Sequence, residues 1–154
     1  MTVPVFVDTN VLVYRHDAGN PAKRSRADAW YTLLWQQRSG RLSIQVLQEL
    51  YSTLTRRLKP GVAVPKAQQI VRVLVAWHPI SVDVPVIERA WRIQERYLLS
   101  WWDSLIVAAA QSGNCRVLLT EDLQHGQLFG SMQVIDPFAL PERTPAEILE
   151  SLGS

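Results

Sequence analysis

The chain has 154 residues, 47% of them apolar and 19% charged, with a formal net charge of +2. That is the size of one ordinary domain with a sizeable core, and the composition excludes a disordered chain. Thirteen of the cations are arginine and three are lysine; arginine forks suit phosphate or carboxylate partners, so the charge permits nucleic-acid binding without requiring it.

The first stretch, Val5-Phe6-Val7-Asp8-Thr9-Asn10, runs three strand-forming residues into a carboxylate, a hydroxyl and an amide. Asp8 stands at the carboxyl end of that strand, where it either caps the next turn or faces a ligand site. A helix through Val11, Leu12 and Tyr14 follows, and Gly19-Asn20-Pro21 breaks it. Ala22 to Gln37 reads as a helix ended by Gly40, with Ala27, Trp30, Tyr31, Leu34 and Trp35 facing the core. A short strand at Leu42-Ser43-Ile44 leads into a helix from about Gln45 to Leu58, with one apolar stripe through Leu47, Leu50, Tyr51, Leu54 and Leu58. Glu49 lies opposite that stripe, either as a solvated glutamate or on the wall of a cleft.

Lys59-Pro60-Gly61 stops this helix and Pro65 opens the next, which runs on through Ile70, Val71, Val73, Leu74 and Trp77. Pro79-Ile80-Ser81-Val82 reads as a short strand, and Pro85 begins a helix that reaches Leu98. Ser100 and Asp103 fit a capping box before the buried run Leu105 to Ala110, ended by Gly113-Asn114. Capping explains Asp103 and also puts a carboxylate in the first turn of a core helix. Arg116 to Leu119 is the fourth predicted strand and runs into Thr120-Glu121-Asp122. Gly126 and Gly130 bracket an irregular piece, Gln133-Val134-Ile135 gives a last strand closed by Asp136-Pro137-Phe138, and Thr144-Pro145-Ala146-Glu147 caps a C-terminal helix through Leu152.

Alternating strands and helices predict a three-layer α/β/α domain with a mostly parallel sheet. If the sheet gathers Asp8, Glu49, Asp103 and Asp122, their mutual repulsion calls for a cation. An all-oxygen donor set suits Mg²⁺ or Mn²⁺ rather than Zn²⁺, and such an ion activates water against a phosphoryl group. Thr9, Asn10, Ser104 and Thr120 each adjoin an acid and are candidate supports. His16, His78 and His125 show no metal-ligand spacing. Cys115 is the single cysteine; it reads as a small buried residue in a chain for a reducing compartment. No 18-residue apolar run occurs, so a soluble, cytoplasmic protein is expected.

Val7-Asp8-Thr9-Asn10, Gln45-Val46-Leu47-Gln48-Glu49-Leu50-Tyr51, Asp103-Ser104-Leu105-Ile106-Val107-Ala108 and Thr120-Glu121-Asp122, in that order and spacing, resemble the PIN domain. The length and the closing Val134-Ile135-Asp136-Pro137-Phe138 look like VapC-type toxins of bacterial toxin–antitoxin pairs. The resemblance runs to about Phe138, dividing the chain into a PIN-like unit of residues 1–140 and a helical tail of 141–154. It implies a Mg²⁺- or Mn²⁺-dependent endoribonuclease whose site is formed by Asp8, Glu49, Asp103 and Asp122. Asp8 and Asp103 would be the firmest ligands, supported by Thr120, Thr9 and Asn10. It also implies a homodimer inhibited by a small antitoxin. Gln124 stands where family members often carry a further acid, which leaves four.

A PIN-like module that binds RNA or protein without catalysis is the alternative. Two other acidic α/β scaffolds fit poorly: a haloacid-dehalogenase-type site wants an Asp where Asn10 stands, and a receiver domain wants a lysine beyond Lys66, the last one present.

Overall fold

A computed structural model describes residues 2–152. Its elements are β1 (Val5–Val7), α1 (Thr9–Tyr14), α2 (Pro21–Gln37), β2 (Gly40–Arg41), α3 (Ile44–Ser52), α4 (Val64–Val73), α5 (Val84–Tyr97), α6 (Trp101–Ser112), β3 (Val117–Leu119), β4 (Leu128–Phe129), β5 (Met132–Ile135) and α7 (Pro145–Leu152). The sheet order is β2-β1-β3-β5-β4, parallel except for the antiparallel β4–β5 hairpin. The expected three-layer α/β/α class with a mostly parallel sheet is what the chain forms. β1, β3 and the inner part of β5 are buried, as strands sandwiched by helices must be. Among the described residues no helix is long and apolar enough to cross a membrane.

Several boundaries differ from expectation, each for a local reason. The second strand is Gly40–Arg41 instead of 42–44, because the Ser43 hydroxyl accepts from Val46 N at 3.3 Å and starts α3 there. Ser43 keeps one parallel bridge to Ile80, and that bridge is all that forms of the strand expected over Pro79–Val82. Arg38, in the left-handed conformation, ends α2 in place of Gly40. Gly40 serves packing: a Cβ there would lie 2.6 Å from the Trp77 ring. The helix read as Gln45 to Leu58 is regular only to Ser52 and then widens into a π turn over Thr53–Arg57. The piece between Gly126 and Gly130 is not irregular, since Leu128–Phe129 pairs with Met132–Gln133 around a turn where Gly130 has φ +62°.

At both expected capping boxes the hydroxyl half forms. Ser100 Oγ accepts from Asp103 N and Thr144 Oγ1 from Glu147 N, each at 3.1 Å. Trp30, Phe6, Leu50, Leu54 and Leu118 are among the largest fully buried side chains. Trp77 stacks with Trp35 and Tyr31 at centroid separations of 5.4 and 5.5 Å. Cys115 is buried, and burial pushes its thiol up to about 12. The C-terminal helix α7 packs on α2 and buries Ile148. Arg26 of α2 fastens the segment before it, donating to the carbonyls of Pro137 at 2.9 Å and Leu140 at 2.7 Å.

Gly40→Ala drives a methyl into the Trp77 ring and should cost about 1–3 kcal/mol. Urea unfolding checks this, and an unchanged midpoint would show that the ring moves aside freely.

Candidate active site

In this strand order the chain leaves β1 for β2 on one side and later returns past β1 to build β3 on the other. In open α/β sheets the carboxyl ends of two such strands flank a crevice where ligands bind. Asp8 closes β1 at that point. Its backbone N–H donates to Leu119 O at 3.0 Å, carrying the ladder one residue beyond the strand. The carboxylate turns the chain into α1, with Oδ1 accepting from Thr9 N at 2.7 Å. Across the crevice Thr120, fully buried, donates its hydroxyl to Asp8 Oδ2 at 2.9 Å.

Asn10 binds the two strand ends together. Its Nδ2 donates to Asp122 Oδ2 at 3.0 Å and to Thr120 Oγ1 at 3.2 Å, with a longer contact of 3.5 Å to Asp8 Oδ2. The Asp122 backbone N–H also donates to Thr120 Oγ1, at 3.1 Å. Glu49 enters from α3: Oε2 accepts from the Thr9 hydroxyl at 3.0 Å and Oε1 from Gln45 Nε2 at 2.8 Å. Asp103 enters from the first turn of α6. The four carboxylates line one cleft of about 540 Å³.

Of the two positions left open for Glu49, the cleft wall is the one it takes. Ser104 goes elsewhere: it is fully buried and its hydroxyl donates to Ser100 O at 2.8 Å, stitching the first turn of α6. Glu121, between Thr120 and Asp122, turns away to accept from Tyr14 OH and Lys23 Nζ, both at 2.7 Å. The sequence reading did not single out Gln45, Gln48, Ser52, Thr53, Arg57 or Trp102 as lining the cleft. Gln45 lies one helical turn before Glu49, a spacing that could have marked it as its partner. Arg57 follows Thr53 by four positions and Glu49 by eight, a helical spacing that could have marked it as sharing their side.

Burial dominates the electrostatics. It pushes the Asp8 carboxyl up to about 7, the Thr120 and Thr9 hydrogen bonds opposing it and the charges of Asp122 and Glu49 adding to it. Burial likewise raises Asp122, eased by the Asn10 hydrogen bond and reinforced by Asp103, Glu121 and Glu49. Among the described residues, no three of Asp, Glu, His and Cys stand close enough to hold a metal ion by themselves. The donor chemistry nevertheless fits a hard divalent cation that keeps part of its water shell. Every acidic ligand is an oxygen donor, and the Asn10 Oδ1 acceptor beside Asp8 is buried without a hydrogen-bond partner.

The raised Asp8 value sets the sign of a pH effect. Asp8 holds its proton more tightly in the folded chain than in the unfolded one. It therefore destabilises the metal-free fold above pH 7, and the cost disappears as pH falls towards 4. Its full size is about 4 kcal/mol. Asp8→Asn should therefore raise the unfolding midpoint in chelator at pH 8 and show little gain near pH 4.5. Equal gains at both pH values would rule out buried charge as the cause.

A family model, PIN domain, matches residues 5–128. A comparison with curated proteins returns no match. Solved structures share the fold. A toxin–antitoxin complex from Klebsiella pneumoniae matches with TM-score 0.60 and 19% identity, over 86% of this chain and 97% of its own. Mycobacterium tuberculosis VapC20, a sarcin-ricin loop cleaving toxin, matches with TM-score 0.57 and 21% identity, over 74% of this chain and 86% of its own. VapBC2 from Rickettsia felis, bound to a DNA fragment of its promoter, gives 0.55 and 14%, over 84% and 96%. The resemblance read from the four motifs is thus met by a model spanning most of the chain, and these structures share its fold: the chain belongs to the PIN domain family.

Proposed function

We propose that this protein is a Mg²⁺- or Mn²⁺-dependent endoribonuclease that serves as the toxin of a toxin–antitoxin pair. The observation that carries this reading is the convergence of Asp8, Glu49, Asp103 and Asp122, from four separate elements, on one cleft. Asp8 and Asp103 hold the ion, and Glu49 and Asp122 complete its surroundings directly or through water. When bound, the ion supplies a nucleophilic water at neutral pH and offsets the charge that develops on the phosphoryl oxygens.

The residues of the chain do the positioning. Thr120 and Thr9 N fix both oxygens of Asp8, and Asn10 fixes Asp122. Thr9 and Gln45 aim Glu49, which takes a proton from the attacking water as the new phosphorus–oxygen bond forms. The bond to the leaving oxygen then breaks, and solvent supplies that oxygen with a proton.

The toxin role is supported by the company of the fold: two of the similar structures are toxin–antitoxin assemblies and the third is an RNA-cleaving toxin. A small antitoxin, a homodimer and a cytoplasmic setting belong to the same reading. So does the division into a nuclease unit of 1–140 and a tail of 141–154; residue 1 of the first and residues 153 and 154 of the second lie outside the described ones. One observation favours a second reading, a PIN-like module that binds RNA or protein without cleaving it: the carboxylates are not gathered as a ready-made ligand cage.

Purified protein incubated with total cellular RNA separates the two readings. Discrete fragments should form with Mg²⁺ or Mn²⁺, disappear in EDTA, and fall to background in Asp8→Asn and Asp103→Asn. Thr120→Val should lower the rate about 10–100-fold by freeing Asp8. Folded, antitoxin-free protein that cleaves nothing would favour the binding module, and undiminished cleavage in either Asp variant would overturn the site.

A further inference from the structure

The acid cleft has a second wall of different chemistry. Trp102, beside Asp103 at the start of α6, is 63% exposed and lines this cleft. Among the described residues it is the one exposed large apolar side chain to do so; Val84 and Trp91 lie on α5 and Leu98 caps its end. Among the described residues Arg57 is the one cation on the cleft lining. Among the described residues the ion pairs join Arg15 to Asp28 and Lys23 to Glu121, so Arg57 is not neutralised by any of the four acids it shares the cleft with. It closes the widened turn over Thr53–Arg57, and π turns are frequent at functional sites.

One cleft thus carries an exposed indole and a guanidinium that none of its acids pairs. An aromatic face with a neighbouring arginine, along a groove that handles phosphodiesters, is the pairing that grips single strands: bases stack on the ring and the cation meets the backbone. A duplex keeps its bases stacked on each other and cannot offer a free base face. We propose that Trp102 and Arg57 form the substrate-selecting wall of the cleft. Trp102 stacks an unpaired nucleobase of the bound strand and Arg57 binds a flanking phosphate of the same strand. This rests on the ribonuclease reading above.

The test is binding, read apart from cleavage. A fluorescein-labelled single-stranded RNA 12-mer is titrated with wild type, Trp102→Ala, Trp102→Phe, Arg57→Ala and Arg57→Lys in Ca²⁺, with anisotropy as the readout and the matching duplex as competitor. Trp102→Ala should weaken single-strand binding roughly five- to hundred-fold and Trp102→Phe far less. Arg57→Ala should lower the salt slope of log K by about 1, and Arg57→Lys should leave the slope intact. The duplex should compete poorly against wild type.

Unchanged affinity in Trp102→Ala, or equal competition by duplex, would overturn the proposal. Loss of a dimer in Trp102→Ala by light scattering, with RNA affinity retained, would overturn it in favour of a protein contact. Cleavage by wild type that persists with unchanged KM in Trp102→Ala would remove this wall and leave the nuclease standing. Single-strand binding that depends on Trp102 in a protein that cleaves nothing would support the wall and remove the nuclease.

Discussion

The structure turns on one buried carboxylate. Asp8 is only 6% exposed, yet it follows β1 and caps the first helix, so it can neither move out to water nor be dropped without reworking the turn. A carboxylate in such a place is stable only if its oxygens are satisfied, and Thr9 N and the Thr120 hydroxyl satisfy one each. That requirement ties β1 to the residue after β3. It therefore fixes the separation of the two strand ends where the crevice opens.

From this pair the remaining polar contacts spread outward. Asn10 extends the link from Thr120 to Asp122, and Thr9 extends it from α1 to Glu49 on α3. Glu121 anchors the loop after β3 to Lys23 and Tyr14, where the Lys23 ammonium also lies 4.9 Å from the Phe138 ring centroid. Two neighbouring acids thus do opposite work, one clamping the loop and the other facing the cleft. The like charges that remain are held near one another by neutral donors, an arrangement under electrostatic load that a cation would relieve.

The sequence carried the order of strands and helices, because a parallel sheet needs continuous apolar runs and helices need stripes, and both patterns are strong here. It also carried the acids of the strand ends, since Asp8 follows such a run directly and Asp122 comes three residues after another. Glu49 was ambiguous: periodicity says which face of a helix is apolar but not whether the polar face meets water or another element. What the sequence hid were features decided by one atom or one turn. The Ser43 hydroxyl cut a strand short, Gly40 made room for the Trp77 ring, and the helix after Ser52 widened into a π turn over Thr53–Arg57. Ser104 adjoins Asp103 in sequence, yet successive helical residues point some 100° apart, and its hydroxyl stays with α6.

Both margins of the sheet are two residues long, β2 on one side and β4 on the other. An extended peptide that joins a sheet draws its affinity from a row of backbone hydrogen bonds, and rows this short supply few. Any protein that binds this chain tightly must therefore grip it by side chains, on helix surfaces or inside the acid cleft. Recognition of that kind is read residue by residue, so a handful of substitutions on either surface can separate one pair of partners from a related one.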